Sequence, residues 1–320
     1  MKKYIPKEKK DTRSGFGDAL FELGKIDPRI VALCADLTGS LKMDAFAKNF
    51  PERFIQTGIA EANMIGIAAG IANAGFIPFA GSFANFLTGR VYDQIRQVVA
   101  YSNKNVKLAA SHAGISLGED GATHQIMEDI ALMRAMPNMT VINTCDYNQT
   151  YLATFAVAKW NGPVYLRFGR PSVPNFTNIN SNFEIGKGII LETGTDVTII
   201  STGHMLWKTL EAWDILNEQG ISAEVINIHT IKPLDENLIL SSVMKTNCVV
   251  TAEEHTKNGG LGDAVAQFLV HNYPVHIEYV AMNDCFGESG TPDELMKKYG
   301  LSTENIVEAV HKVLSRKRNN

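Results

Sequence analysis

Cysteine is scarce in this chain, and the few that occur cannot cooperate. Cys34, Cys145, Cys248 and Cys285 are the whole set, and no two form a Cys-x-x-Cys pair. Thiols scattered so widely give neither a zinc site nor a disulfide framework, so four plain thiols, mostly in or beside strands, are expected. Long apolar runs are also absent. No stretch approaches the ~18–20 residues needed to span a bilayer. The basic start, Met1 to Arg13, is not followed by an apolar signal core. A cytoplasmic protein with no membrane contact is the default expectation. Charge of one sign is missing too: 30 Lys and Arg stand against 34 Asp and Glu, a net charge of -4. That balance offers no footprint for nucleic acid. The Arg316-Lys317-Arg318 run reads as a solvated end.

What is present is an ordinary globular composition, 45% hydrophobic and 20% charged over 320 residues, long enough for two domains. Short β-branched runs alternate with helical patterns. Ile30–Cys34, Val106–Ser111, Thr140–Asn143 and Val164–Phe168 predict strands. Phe16, Leu20 and Leu23 recur at helical spacing, as do Tyr92, Ile95, Val98 and Val99, and Ile126, Ile130 and Met133. A small-residue helix covers Met64 to Ala72. Pro171 to Asn182 holds two prolines and four asparagines, and reads as an exposed linker. A second series follows, with strands at Val197–Ser201, Ala223–Ile228, Cys248–Ala252 and near Val275–Val280. Its helices begin near Met205, Glu236, Leu261, Pro292 and Thr303. Alternation of this kind implies parallel sheets with helices on both faces. The expectation is two three-layer α/β/α domains, residues 1–180 and 181–320.

Two segments carry candidate chemistry. In Gln56-Thr-Gly-Ile-Ala-Glu61, the carboxylate stands at the start of the small-residue helix. Alone, it needs no more explanation than the positive helix N-terminus. In Ser111-His112-Ala-Gly-Ile-Ser-Leu-Gly118-Glu119-Asp120-Gly121-Ala-Thr-His124-Gln125, two histidines and two carboxylates share a loop with three glycines. The loop follows a strand, and the carboxyl ends of parallel strands are where open α/β sheets bind ligands. The spacing fits no common zinc motif, so no metal site is expected on this chain. Gly259-Gly-Leu-Gly262 lacks the third glycine of a dinucleotide fingerprint and reads as a tight turn into a helix.

Together these segments give the chain a specific likeness. Along essentially its whole length it resembles transketolase, over that family's pyrimidine-binding and C-terminal domains. Cys34-Ala-Asp-Leu-Thr-Gly-Ser40, the Glu61 segment, Gly81-Ser-Phe-Ala-Asn-Phe86, Gly118 to Gln125, Arg167-Phe-Gly-Arg-Pro171, Gly259 to Gly262 and Phe286-Gly-Glu-Ser-Gly290 match in order. The resemblance implies thiamine diphosphate as cofactor, which carries the hard chemistry. It implies that Glu61 hydrogen-bonds a ring nitrogen of the cofactor's aminopyrimidine, and that Phe83 and Phe86 pack around that ring. His112 and His124 match groups that contact the sugar's hydroxyls and reacting carbonyl, and Asp120 a carboxylate that reads a hydroxyl. Arg13, Ser40 and Arg170 match a clamp on the sugar's terminal phosphate, where a guanidinium fork suits the oxygens. One position departs from the pattern: fused members often carry a third aromatic where this chain has Gly89.

The family's diphosphate-binding domain has a Gly-Asp-Gly signature, and this sequence contains none. The chain starts where the pyrimidine domain should start. The resemblance therefore implies a split enzyme. An N-terminal transketolase subunit would supply Mg²⁺ (or Ca²⁺), the diphosphate contacts and further histidines, in an assembly of two such chains with two partners. The reaction implied is transfer of a two-carbon ketol unit from a ketose phosphate to an aldose phosphate. The other readings are a split transketolase for a specialised sugar phosphate, a 2-oxo acid dehydrogenase beta-type subunit, a deoxyxylulose-phosphate synthase-like enzyme, and a non-catalytic assembly subunit. Asp120 and the three clamp residues stand against the dehydrogenase.

Overall fold

Alternating apolar runs fold into two mostly parallel sheets. The computed structural model describes residues 3–5 and 8–318; Met1, Lys2, Pro6 and Lys7 of the basic start lie outside the described residues, as do Asn319 and Asn320. The chain runs β1 (Lys9–Asp11), α1 (Thr12–Ile26), β2 (Ile30–Cys34), α2 (Asp44–Asn49), β3 (Phe54–Gln56), α3 (Glu61–Asn73), β4 (Ile77–Phe83), α4 (Ala84–Thr88), α5 (Tyr92–Gln94), β5 (Lys107–Ser111), α6 (Asp129–Arg134), β6 (Thr140–Asn143), α7 (Tyr147–Lys159), β7 (Val164–Arg167) and β8 (Ser172–Pro174). It continues β9 (Ile189–Glu192), β10 (Val197–Ser201), α8 (Met205–Glu218), β11 (Ala223–Asn227), β12 (Thr230–Lys232), α9 (Glu236–Thr246), β13 (Cys248–Thr256), α10 (Leu261–Asn272), β14 (His276–Met282), α11 (Pro292–Lys298) and α12 (Thr303–Arg318).

The first sheet has the order β12-β6-β7-β5-β4-β2-β3, and the second β14-β13-β10-β11-β9. Each is parallel apart from one antiparallel edge strand, β12 in the first and β9 in the second. A strand from the second half of the chain thus completes the first sheet. Period-two alternation divides the core. In β2, Ile30, Ala32 and Cys34 face the layer of α1, α2 and α7. Val31 and Leu33 face the opposite layer, which continues without a break into Ile200, Ile226 and Val265 of the second half. A buried ion pair reinforces that junction. Arg167 Nε donates to Asp129 Oδ2 at 2.7 Å, Tyr165 donates to the same oxygen, and Arg167 Nη2 reaches the backbone oxygen of Glu254.

Several expectations need correction. The strand reading omits β4, because Pro78 and Gly81 depress its strand propensity; burial between β2 and β5 overrides them. Helix α7 is also omitted, since its threonines and aromatics are poor helix formers. Asp146 starts it by accepting from Gln149 N. The pattern from Tyr92 ends as a π-helix, Ile95–Ala100, and Ile126 precedes its helix rather than joining it. The expected linker is only partly exposed. Its first residues pair as β8 with β1, Phe176 packs on Trp207, and continuous exposure is confined to 178–182. The C-terminal basic run is likewise not a free end. It closes α12, where Arg316 pairs with Glu278 and Lys317 donates to the carbonyls of Asp196 and Thr246. The Gly259 turn does lead into α10: Gly259 has φ +82°, and the buried Glu253 carboxylate accepts from Leu261 N and Gly262 N. Of the four thiols, only Cys285 is exposed, and none is bonded to another. Among the described residues, no helix is long and apolar enough to cross a membrane.

Candidate active site

The carboxyl ends of β2, β4, β5 and β7 bring most of the expected residues together. Phe83 is the last residue of β4, and Phe86 follows in α4. Their rings stack with centroids 5.8 Å apart. His112 leaves β5 and lays its imidazole on Phe83 at 3.8 Å. His124, at the far end of the glycine loop, meets Phe86 edge-on at 5.3 Å. Gly114, Gly118 and Gly121, with φ of +83°, +94° and +73°, let the intervening chain turn back on itself.

Each histidine is oriented by the hydroxyl of the residue before it. Ser111 Oγ lies 2.7 Å from His112 Nδ1, and Thr123 Oγ1 lies 2.9 Å from His124 Nδ1. Nδ1 is engaged in both rings, so Nε2 is the nitrogen left for a substrate. The paired Ser-His and Thr-His dipeptides were a legible sequence signal for this arrangement. Burial, then the neighbouring Arg13 and Arg170, lowers His112 to about 3. His112 is therefore a neutral imidazole at any working pH.

Arg13, in the first turn of α1, donates from Nη1 to the carbonyl of Ser40 at 3.2 Å, and its Nε lies 3.2 Å from Asp11. Arg170, three residues past β7, donates from Nη1 to Leu117 O at 2.7 Å and Glu119 Oε2 at 2.8 Å. Burial pulls the Arg13 guanidinium below its ordinary value, and the charge of Arg170 adds to that pull. Each guanidinium is already paired with a carboxylate, Arg13 with Asp11 and Arg170 with Glu119, so an incoming anion would compete with those two groups. Asp120 is the exception among the expected residues. It is exposed on the loop, one position beyond Glu119, and makes no hydrogen bond to the others.

Glu61 opens α3 and is buried. Sequence reasoning missed its partner. Arg90 Nη1 reaches both carboxylate oxygens, at 2.9 and 3.0 Å, and the same guanidinium lies 4.2 Å over the Phe86 ring. A Cβ at Gly89 would meet only Asn85, at 3.5 Å, so no ring fills that position, and the side chain that lies over Phe86 is Arg90. Asn85, also unanticipated, ties α4 to the loop through Thr123 O at 2.7 Å. A buried carboxylate beside two stacked rings suits a flat heteroaromatic ring with nitrogen at its edge. Among the described residues, no group of three His, Cys, Asp or Glu could hold a metal ion.

Residues 8–175 match the family described as transketolase, pyrimidine binding domain, and residues 186–306 the one described as transketolase, C-terminal domain. The chain is 48% identical over 304 residues to a putative transketolase C-terminal section from Methanocaldococcus jannaschii, covering 94% of this chain and 95% of that protein. It is 45% identical over 305 residues to the 6-deoxy-6-sulfo-D-fructose transketolase subunit of Clostridium sp. (strain MSTE9), covering 95% of each. A solved structure described as a split gene transketolase, inactive beta4 tetramer, has a TM-score of 0.90 at 48% identity, covering 95% of this chain and 98% of that one.

Proposed function

Because the chain belongs to the transketolase family, we propose that it is the C-terminal subunit of a split transketolase, moving a two-carbon ketol unit from a ketose phosphate to an aldose phosphate. The observation that carries this reading is a cluster at the carboxyl edge of the first sheet: Phe83, Phe86, His112 and His124 in ring contact, Glu61 linked to Phe86 through Arg90, and Arg13 and Arg170 beside His112, in a chain with no Gly-Asp-Gly sequence. Residues 1–180 form the pyrimidine-binding domain in this reading and residues 181–320 the C-terminal domain. The N-terminal subunit supplies the diphosphate and Mg²⁺ contacts, and the working assembly pairs two copies of each chain in the cytoplasm.

The residues then divide the work. Bound thiamine diphosphate supplies the carbon nucleophile of the transfer. Glu61 shares a proton with a ring nitrogen of the aminopyrimidine, and Phe83 and Phe86 exclude water from that ring. His112 and His124 present Nε2 to the sugar's oxygens, and Asp120 reads a hydroxyl. Arg13 and Arg170, with Ser40, hold the terminal phosphate. A second sugar class remains a live reading: 45% identity to a transketolase subunit acting on 6-deoxy-6-sulfo-D-fructose supports a specialised donor, whose terminal anion the same two arginines would suit.

The test is reconstitution. This chain, mixed with its N-terminal subunit, thiamine diphosphate, Mg²⁺, xylulose 5-phosphate and ribose 5-phosphate, should transfer ketol. The chain alone should not. Turnover without the partner would sink the split-enzyme reading, and silence of the complete mixture would sink the pentose phosphate substrates. The Arg90–Glu61 pair predicts a second result. Arg90 competes with the cofactor for Glu61, and an ion pair with a half-exposed arm contributes about 0–1 kcal/mol. Arg90→Met should therefore tighten cofactor binding to the reconstituted pair about two- to fivefold in a titration. A tenfold loss of affinity would show that Arg90 helps to bind the cofactor instead.

A further inference from the structure

His112 adopts a backbone conformation that residues with a side chain seldom take, with φ +58°, and Gly114 follows at +83°. Such a turn persists only where its surroundings hold it. Part of the hold is local. Ala113 N donates to Phe168 O at 3.3 Å, and Gly114 bridges to Ile126. The rest comes from the other domain. Glu254 lies in β13, is buried, and has no role in the chemistry described above. Its Oε1 accepts from Ser116 N at 2.7 Å, and its carboxyl group fills the space where a Cβ on Gly114 would lie. The strand behind it is anchored in turn: the backbone oxygen of Glu254 accepts from Arg167 Nη2 at 2.9 Å, and Arg167 is paired with Asp129.

We propose that Glu254 is a positioning residue for the sugar-reading loop: reaching in from the second domain, its carboxylate pins residues 114–116 and thereby fixes the turn that presents His112. The second domain then contributes to substrate recognition without touching substrate. The carboxylate is well suited to this. A carboxyl oxygen accepts from the backbone N–H of Ser116, and a side chain this deeply buried has little freedom to yield. Removing it leaves Ser116 N without its acceptor and opens space beneath Gly114, so the turn can relax.

The activity arm of the test rests on the transketolase reading; the spectroscopic arm does not. Glu254→Ala and Glu254→Gln are compared with the unaltered chain, each reconstituted with the N-terminal subunit, thiamine diphosphate and Mg²⁺. Glutamine keeps both the volume and an acceptor oxygen for Ser116 N. We expect Glu254→Ala to lower kcat/KM for the ketose phosphate about thirtyfold through misplacement of His112, with Glu254→Gln within about threefold of the unaltered pair. With ¹³C-labelled histidine, the His112 ring signal should move in the alanine variant and stay in place in the glutamine variant. A folded alanine variant with kcat/KM within twofold and an unmoved His112 signal would overturn the proposal. So would a glutamine variant as impaired as the alanine one. If Glu254→Ala does not fold, Glu254→Asp, which withdraws the carboxylate by one methylene, takes its place under the same criteria. Should the unaltered pair show no ketol transfer, the function reading fails while the His112 signal still decides the positioning role.

Discussion

Glu61→Gln should cut ketol transfer by the reconstituted pair about a thousandfold, within the range that positioned acid–base groups contribute, and leave the fold in place. The two halves of this expectation have different causes. Glutamine is isosteric with glutamate and fits the first turn of α3 without opening a cavity, so packing around the buried side chain is preserved. The charge that is lost served a half-exposed partner, Arg90, and a helix N-terminus. A carboxylate at a helix N-terminus contributes about 0.3–1 kcal/mol, up to about 2 where it is buried, and the amide oxygen can still accept from Arg90, so the melting temperature should fall by several degrees at most. The amide, however, cannot take or return a proton at a ring nitrogen. Turnover and thermal unfolding measured on one preparation separate the two effects. Near-normal turnover would remove Glu61 from the chemistry. Collapse of the fold would instead make it a structural carboxylate.

Much of this site could be read from the residues because the fold places sequence-distant motifs by one rule. Phe83 ends a strand of the first sheet and Ser40, His112 and Arg170 each follow one, and parallel strands deliver their carboxyl ends to one edge. The ordered motifs therefore implied a cluster before any coordinates did. Arg90 was not legible for the opposite reason. It belongs to no strand end, and its relation to Glu61 depends on how the short helices after β4 turn. The missed elements share a cause as well. β4 and α7 have weak local propensity and are held by burial, β4 between two strands and α7 against α1. β12 is three residues long and joins the first sheet from the far half of the chain. Pairing of that kind cannot be seen by following local periodicity.

Arg170→Ala should raise KM for phosphorylated sugars about thirty- to hundredfold while shifting KM for unphosphorylated ones no more than about threefold. Hydrogen bonds to charged groups contribute about 1.5–3 kcal/mol, and every 1.4 kcal/mol is a factor of ten. The comparison between sugars is essential, because Arg170 has a second attachment. Its Nη1 holds Leu117 O and Glu119 of the sugar loop. If loosening that loop were the whole effect, both substrate classes would suffer alike and kcat would fall with them. Arg170→Lys refines the distinction. It keeps the charge but loses the planar fork, so phosphate recognition should recover only in part. The pH dependence gives an independent check of sign. Arg170 is one of the cations that, with burial as the larger cause, hold His112 down at about 3. Taking it away must raise that value toward the ordinary 6.5, because the protonated ring then faces one positive charge fewer. In Arg170→Ala, His112 should therefore begin to protonate at a higher pH than in the unaltered chain, when followed by histidine NMR on the folded protein. A downward or absent shift would mean that Arg170 does not face the histidine pocket, and the clamp would have to be rebuilt around Arg13 alone.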